Sequence, residues 1–191
     1  EDGEEKIKVY ENFYLDKETK EVDSTIRLFK NRKDIDKICI MDGELPSADD
    51  EIAIDRMYAD NNKLKVGDSL TVGGKKLKIT GLVALSDYSA LYSNPSDMMF
   101  DALKFGVAIV TDTLFDDYGE ADLHYSYSWK YDKTPADDEE AQDMAEKVMK
   151  HINGISMLTQ CIPEYSNQAI HFTGDDIKGD NTMITVFLYL V

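Results

Sequence analysis

The chain has 191 residues, 42% of them hydrophobic and 31% charged, and a formal net charge of −17. That is the composition of a globular protein and not of a disordered one, and the length suffices for one large domain or two small subdomains with a buried core. The charge argues against nucleic acid as a partner and against a flat contact with anionic lipid; it leaves cationic ligands open, with a solvated acidic surface as the plainer meaning.

In chain order, Lys6 to Leu15 reads as a strand with Ile7, Val9, Phe13 and Tyr14 as its apolar positions. Asp16 to Asp23 is a charged turn. Ser24 to Phe29 follows with Ile26 and Leu28 alternating against Thr25 and Arg27, so the two segments suggest a hairpin. Asn31 to Lys37 is a polar connector, and Lys37 to Met41 a further strand. Cys39 and Cys161 are too few for a disulfide framework. Both sit in apolar runs and read as free, buried thiols, although an extracytoplasmic space would allow them to pair.

Gly43 to Val83 is the stretch around which the rest is organised. Gly43 and Pro46 punctuate a turn. Glu51 to Asp55 alternates as a half-buried strand, and Asp55 caps a short helix from Arg56 to Asn61. Gly67 and Asp68 form a turn. Gly73-Gly74, between Ser69–Val72 and Lys75–Val83, is a two-residue hairpin signal. On the second of these strands Leu77, Ile79 and Gly81 face one way and Lys76, Lys78 and Thr80 the other. No residue here offers chemistry; the module is built for shape.

The loop from Ser86 to Asp97 contains Tyr88, Leu91 and Tyr92, which as an exposed aromatic loop would contact a partner and otherwise would pack over the sheet edge. Ser96 to Leu103 is expected as a short helix with Met98, Met99 and Leu103 inward. Gly106 to Val110 is a short apolar strand, and Asp112 to Tyr118 one or two helical turns. Leu123 to Tyr131 is the most regular strand, with Tyr125, Tyr127, Trp129 and Tyr131 on one face. Such a stripe would stack on a sugar or peptide ligand, or be covered by a helix. The covering helix is Ala136 to His151: Thr134 as N-cap, Pro135 at the first position, and Asp137 to Glu140 at the positive end of the dipole. Ala141, Met144, Ala145, Val148, Met149 and Ile152 form its apolar face, and Gly154 ends it. Ile155 to Ile162 reads as the next strand, giving a strand–helix–strand unit.

The last nine residues, Met183 to Val191, are almost wholly apolar. As helix they would rise only about 14 Å, short of the ~20 residues a bilayer needs, so they read as a terminal core strand or the start of a truncated membrane helix. The chain begins at Glu1 without a methionine or signal peptide, which is expected of an excised fragment.

The succession G-x-L-P from Gly43, E-I-A-I from Glu51 and L-K-V-G-D-x-L-x-V-x-G-K-x-x-x-I-x-G-L-V from Leu64 resembles the extracytoplasmic core domain of FtsX-like, MacB-type ABC transporter permeases. The resemblance extends toward the C-terminus and is less clear over the first forty residues. It implies an α+β fold: a β-rich lobe of roughly residues 30–120 and a membrane-proximal α/β lobe from 1–29 and 121–182, with 183–191 opening a membrane helix. It implies a cytoplasmic ABC ATPase as partner through the parent permease, a second permease subunit, and a peptide, lipid, lipoprotein or antibiotic as the thing moved. It also implies the extracytoplasmic side of a cell membrane, on a Gram-positive surface.

Chemistry of other kinds has no local signature. His124, His151 and His171 lie far apart with no partner at ligand spacing, and Asp175, Asp176 and Asp180 lack an EF-hand loop. There is no nucleophile elbow and no carboxylate pair that stands out. No catalytic, cofactor-binding or metal residue is therefore assigned. Two rivals remain. A freestanding extracellular binding module would use Tyr125, Tyr127, Trp129 and Tyr131 exposed. A secreted hydrolase would bring His124 or His171 to a serine or carboxylate in a cleft.

Overall fold

The computed structural model describes residues 6–94, 97–154 and 161–162. Within them the chain runs β1 (Ile7–Glu11), β2 (Tyr14–Glu18), β3 (Thr25–Lys30), β4 (Ile38–Gly43), β5 (Glu51–Asp55), α1 (Arg56–Asn62), β6 (Ser69–Val72), β7 (Lys75–Leu85), β8 (Phe105–Val110), α2 (Asp112–Asp117), β9 (Leu123–His124), β10 (Tyr127–Tyr131) and α3 (Asp138–Asn153). A mixed eight-stranded sheet has the order β4-β7-β5-β8-β3-β2-β9, with β6 also on β7; among the described residues β1 and β10 pair only with each other. The fold is α+β.

Composition explains the middle of the sheet. β8, FGVAIV, is buried at every position, and β3 is buried from Ile26 to Phe29. Apolar side chains on both faces suit strands that have neighbours on both edges and cover above and below. β3 and β8 pair in parallel, as do β5 and β7. Tyr58 and Ala59 from α1 and Leu114 and Phe115 from α2 complete the core with Ile52, Ile54, Leu70, Leu77, Ile79 and Val107.

Several local expectations hold. Asp55 caps α1, accepting a hydrogen bond from the Tyr58 N–H at 3.1 Å. The Gly73-Gly74 hairpin joins β6 to β7 with φ of +54° and +84°, the two left-handed residues of a type I′ turn. Asp112–Asp117 is helical, capped by Thr111.

Others are corrected. The hairpin partner of β3 is β2, of which only Tyr14 and Leu15 belong to the expected strand Lys6–Leu15; Asp16–Glu18, expected as the start of a charged turn, continue it, and the strand is interrupted between β1 and β2. No helix forms between Asp97 and Leu103. The Asp97 carboxylate instead takes the Asn94 N–H and the Ser93 hydroxyl, and the Asp101 carboxylate takes the N–H groups of Leu103 and Lys104. Side-chain capture of this kind competes with helix formation. Met98 and Met99 accordingly point outward, 95% and 82% exposed, with Leu103, while Ala102 is buried.

α3 starts at Asp138, not at the Thr134–Pro135 boundary, because Asp137 is the better cap. Its carboxylate accepts from the Glu140 N–H at 2.9 Å, and the Glu140 carboxylate reaches back to the Ala136 N–H at 2.6 Å. Met144, Ala145 and Val148 are buried, as the helical spacing requires.

β2, β3 and β9 lie in the large sheet. The apolar run of β3 is buried by β8, some eighty residues away, and no local pattern announces that partner. Cys39 is exposed on the edge strand β4, against the expectation of a buried thiol; Cys161 is half-buried, and both are free. The expected strand at 155–162 falls outside the described residues apart from Cys161 and Ile162. Pro163 to Val191, including His171, the three aspartates and the apolar end, lies wholly outside them. Among the described residues no helix is long and apolar enough to cross a membrane.

Candidate functional site

Two structures would carry any mechanical or binding role: the module from Gly43 to Val83, and the junction where β1 and β10 leave the large sheet.

The module is closed at its centre by β4 and β7. Gly43 and Gly81 are register partners, and the Glu44 N–H donates to the Thr80 carbonyl at 2.9 Å. Pro46, half-buried, follows in the connection to β5. The Gly67-Asp68 turn is sewn onto β7: the Gly67 N–H donates to the Ile79 carbonyl and the Ile79 N–H to the Asp68 carbonyl, both at 2.8 Å. The Asp68 carboxylate also takes the Lys65 N–H. At the far hairpin the Gly73 N–H donates to the Glu18 carbonyl, tying the tip back to β2. Gly43, Pro46, Gly67, Asp68, Gly73, Gly74 and Gly81 thus belong to one β unit.

The loop after β7 is interior. Leu91 and Tyr92 are buried and Tyr88 is half-buried, so this is not an exposed aromatic loop. What holds it is Arg27 on β3, a residue without a local signature. Its guanidinium forks onto Asp16 with two 2.8 Å hydrogen bonds and donates to the Tyr88 hydroxyl at 2.9 Å and the Ser93 carbonyl at 3.1 Å. It also lies over the Tyr14 ring, 4.0 Å from the centroid. Burial opposes its charge, but Asp16 and Tyr88 outweigh burial and hold it protonated. Burial pushes the Tyr88 hydroxyl up to about 12. Every part of this network is used internally, which fits structural support.

The junction is built differently. β1 pairs with β10 and β2 with β9 in one unbroken register, and the Asn12 N–H donates to the Ser126 carbonyl at 2.8 Å between them. Lys6–Leu15 and Leu123–Tyr131 are therefore one antiparallel ribbon, interrupted at Asn12–Phe13 and Tyr125–Ser126. Phe13 meets Tyr125 and Tyr127 edge-on at that interruption, with centroids 5.1 and 5.2 Å apart. On the opposite face the connector from Asn31 to Lys37 docks through charge. Arg32 forks onto Asp87 at 2.6 and 2.8 Å and donates to the Asn12 side-chain oxygen at 3.1 Å. Asp36 takes the Asn12 amide at 3.2 Å and the Ser128 hydroxyl at 3.1 Å, and lies 3.8 Å from Arg32. Burial and then the nearby Asp87 raise the Asp36 carboxyl above its ordinary value, while Arg32 and Ser128 oppose the rise. An open cleft of about 520 Å³ borders this connector, lined among others by Tyr10, Arg32, Asp34, Pro46 and Thr111.

No family model matches the chain, and no curated protein matches it. Similar solved structures include two extracytoplasmic regions. One is the extracellular domain of the noncanonic ABC-type transporter YknZ from Gram-positive bacteria, at 15% identity and a TM-score of 0.41, over 81% of this chain and 79% of that one. The other is the periplasmic region of MacB from Actinobacillus actinomycetemcomitans, at 9% identity and a TM-score of 0.41, over 81% of this chain and 70% of that one.

The aromatic face of the ribbon is uneven. Tyr125 and Tyr127 are 65% and 55% exposed, while Trp129 and Tyr131 are half-buried, so no helix covers the whole stripe as expected. His124 stacks flat on Tyr14, centroids 4.6 Å apart. Among the described residues no group of three His, Cys, Asp or Glu is placed to hold a metal ion. Sequence reasoning missed Asn12, Arg32, Asp36, Asp87 and Ser128. The one signal was the density of charge in Asn-Arg-Lys-Asp-Ile-Asp-Lys, which a polar connector does not need.

Proposed function

We propose that this chain is the extracytoplasmic domain of an ABC transporter permease of the MacB-like kind, and that it does no chemistry of its own. A cytoplasmic ATPase would bind and hydrolyse ATP, the membrane helices of the parent permease would carry the motion outward, and this domain would be the moved element. A peptide, lipid, lipoprotein or antibiotic outside the membrane would be what it acts on, with a second permease subunit alongside and nucleic acid excluded by charge. The observation that carries the reading is the Gly43–Val83 motif. Its separated pieces close on one another around the Gly43–Gly81 pair, which supports reading them as one structural unit. The β-rich sheet would be the outer, rigid body, and the β1–β10 ribbon with α3 would lie toward the membrane.

The test is made on the native, full-length protein. Recovery in the membrane fraction together with a co-purifying cytoplasmic ATPase is the expected result. A soluble native chain without an ATPase would sink the reading. In that event the exposed Tyr125 and Tyr127 favour a second one, a freestanding extracellular binding module in which those rings stack on a sugar or peptide. It predicts glycan or peptide binding that Tyr125→Ala and Tyr127→Ala abolish.

A further inference from the structure

The ribbon junction has the parts of a hinge and of a catch that holds it. β1 and β10 have no further strand partners among the described residues, and the ladder of the eight-stranded sheet does not run on into them. At the junction the ladder thins to the hydrogen bond between Asn12 and Ser126, with no residue inserted in either strand. Both chain crossings occur at the same level, so the ribbon passes the junction without breaking covalent or register continuity. Elements joined to the core by a thin hydrogen-bond connection open as units, separately from it.

On its polar face the ribbon is held by Arg32 and Asp36, and by Lys130 of β10, which donates to the Asp34 carbonyl. Arg32 reaches the ribbon through Asn12 and the loop after β7 through Asp87, and its guanidinium lies 4.5 Å over Phe29 of β3. Asp36 completes the contact through Asn12 and Ser128. The arrangement carries its own costs. Asp36 is a non-glycine residue at φ +46°, its carboxylate shares Arg32 with Asp87, and the buried Arg32 Nε has no hydrogen-bond partner among the described residues. A contact that is specific in geometry but incompletely satisfied is easier to release than a packed core.

We propose that Asn12–Phe13 and Tyr125–Ser126 form a two-stranded hinge, and that Arg32, bridging Asp87 and Asn12, is the latch that fixes the β1–β10 ribbon against the eight-stranded sheet. The inference concerns the fold and stands independently of the transporter reading. The experiment is hydrogen exchange with mass-spectrometric readout on the whole chain and on Arg32→Gln. Protection of β1 and β10 falls at least tenfold in the variant, the two strands together, while β3, β5 and β8 stay within twofold of the parent. Unchanged ribbon protection, or an equal loss in ribbon and central strands, overturns the proposal. Should Arg32→Gln fail to fold, Asn12→Ala leaves the Arg32–Asp87 fork in place, removes the hydrogen bonds of Asn12 to Arg32 and Asp36, and is read by the same two outcomes.

Discussion

Gly43 and Gly81 stand opposite one another across β4 and β7, and neither position has room for a side chain. A Cβ at Gly43 would lie 2.2 Å from the Thr80 carbonyl oxygen, and one at Gly81 would lie 2.3 Å from the Glu44 carbonyl oxygen. Both obstacles are backbone and cannot turn aside. Gly43 also takes φ +67°, which L-residues avoid. Gly43→Ala is expected to cost about 2–4 kcal/mol and Gly81→Ala about 1–3 kcal/mol. Gly74→Ala, at φ +84° with open space around it, should cost only about 1–2 kcal/mol. Urea unfolding midpoints at unchanged slope give the comparison; equal losses at Gly74 and Gly43 would remove the steric explanation.

Asp55 sets a pH dependence. Burial raises its carboxyl from 3.8 to about 6, against the opposing pull of the Tyr58 and Met57 N–H groups. Between about pH 4 and pH 6 the folded state therefore binds more protons here than the unfolded state, and its stability falls as pH rises. The contribution is complete below the unfolded value and gone above the folded one. Asp55→Asn keeps an equally good cap without the charge. It is expected to flatten this part of the profile and to gain roughly 1–3 kcal/mol at pH 7. The reading is the difference between variant and parent unfolding energies across pH 4–7, which cancels the other carboxylates.

Much of the module was legible in the sequence. The Asp55 cap, the Gly73-Gly74 turn and the short helices are local events, decided within four or five residues by capping and by left-handed backbone. The sheet order was not legible, because β3 lies between β8 and β2 through contacts some eighty residues apart. The reach of the ribbon was visible as two long alternating runs, but not its break, since Phe13 and Tyr125 keep the alternation through it. Met98 and Met99 misled because helical spacing ignores the competition of Asp97 and Asp101 for backbone N–H groups.

Arg27 should tolerate little. Arg27→Met leaves Asp16 without its fork and the Tyr88 hydroxyl without its donor, at a cost of roughly 3–5 kcal/mol. Arg27→Lys keeps the charge but not the planar geometry, and recovers only part of the loss. Thermal unfolding of both variants tests this; a lysine variant as stable as the parent would mean that charge alone matters.

Cys39 gives a chemical check on the edge position of β4. Exposed, it is expected to react with a disulfide reagent in the native protein, as one thiol in a fast phase that Cys39→Ser removes. Cys161, half-buried and with its thiol pushed up by burial, reacts more slowly. Native protein with no fast thiol would place β4 inside the sheet.

The unbroken register of the ribbon has a mechanical meaning. Five paired residues beyond the junction, at ~3.3 Å each, make an arm about 17 Å long. A rotation of about 10° at Asn12 and Ser126 would sweep its end, at Ile7 and Tyr131, through about 3 Å. Because neither strand carries an extra residue, the arm has no slack: displacement at its far end arrives at the sheet as torque, undiminished by slippage.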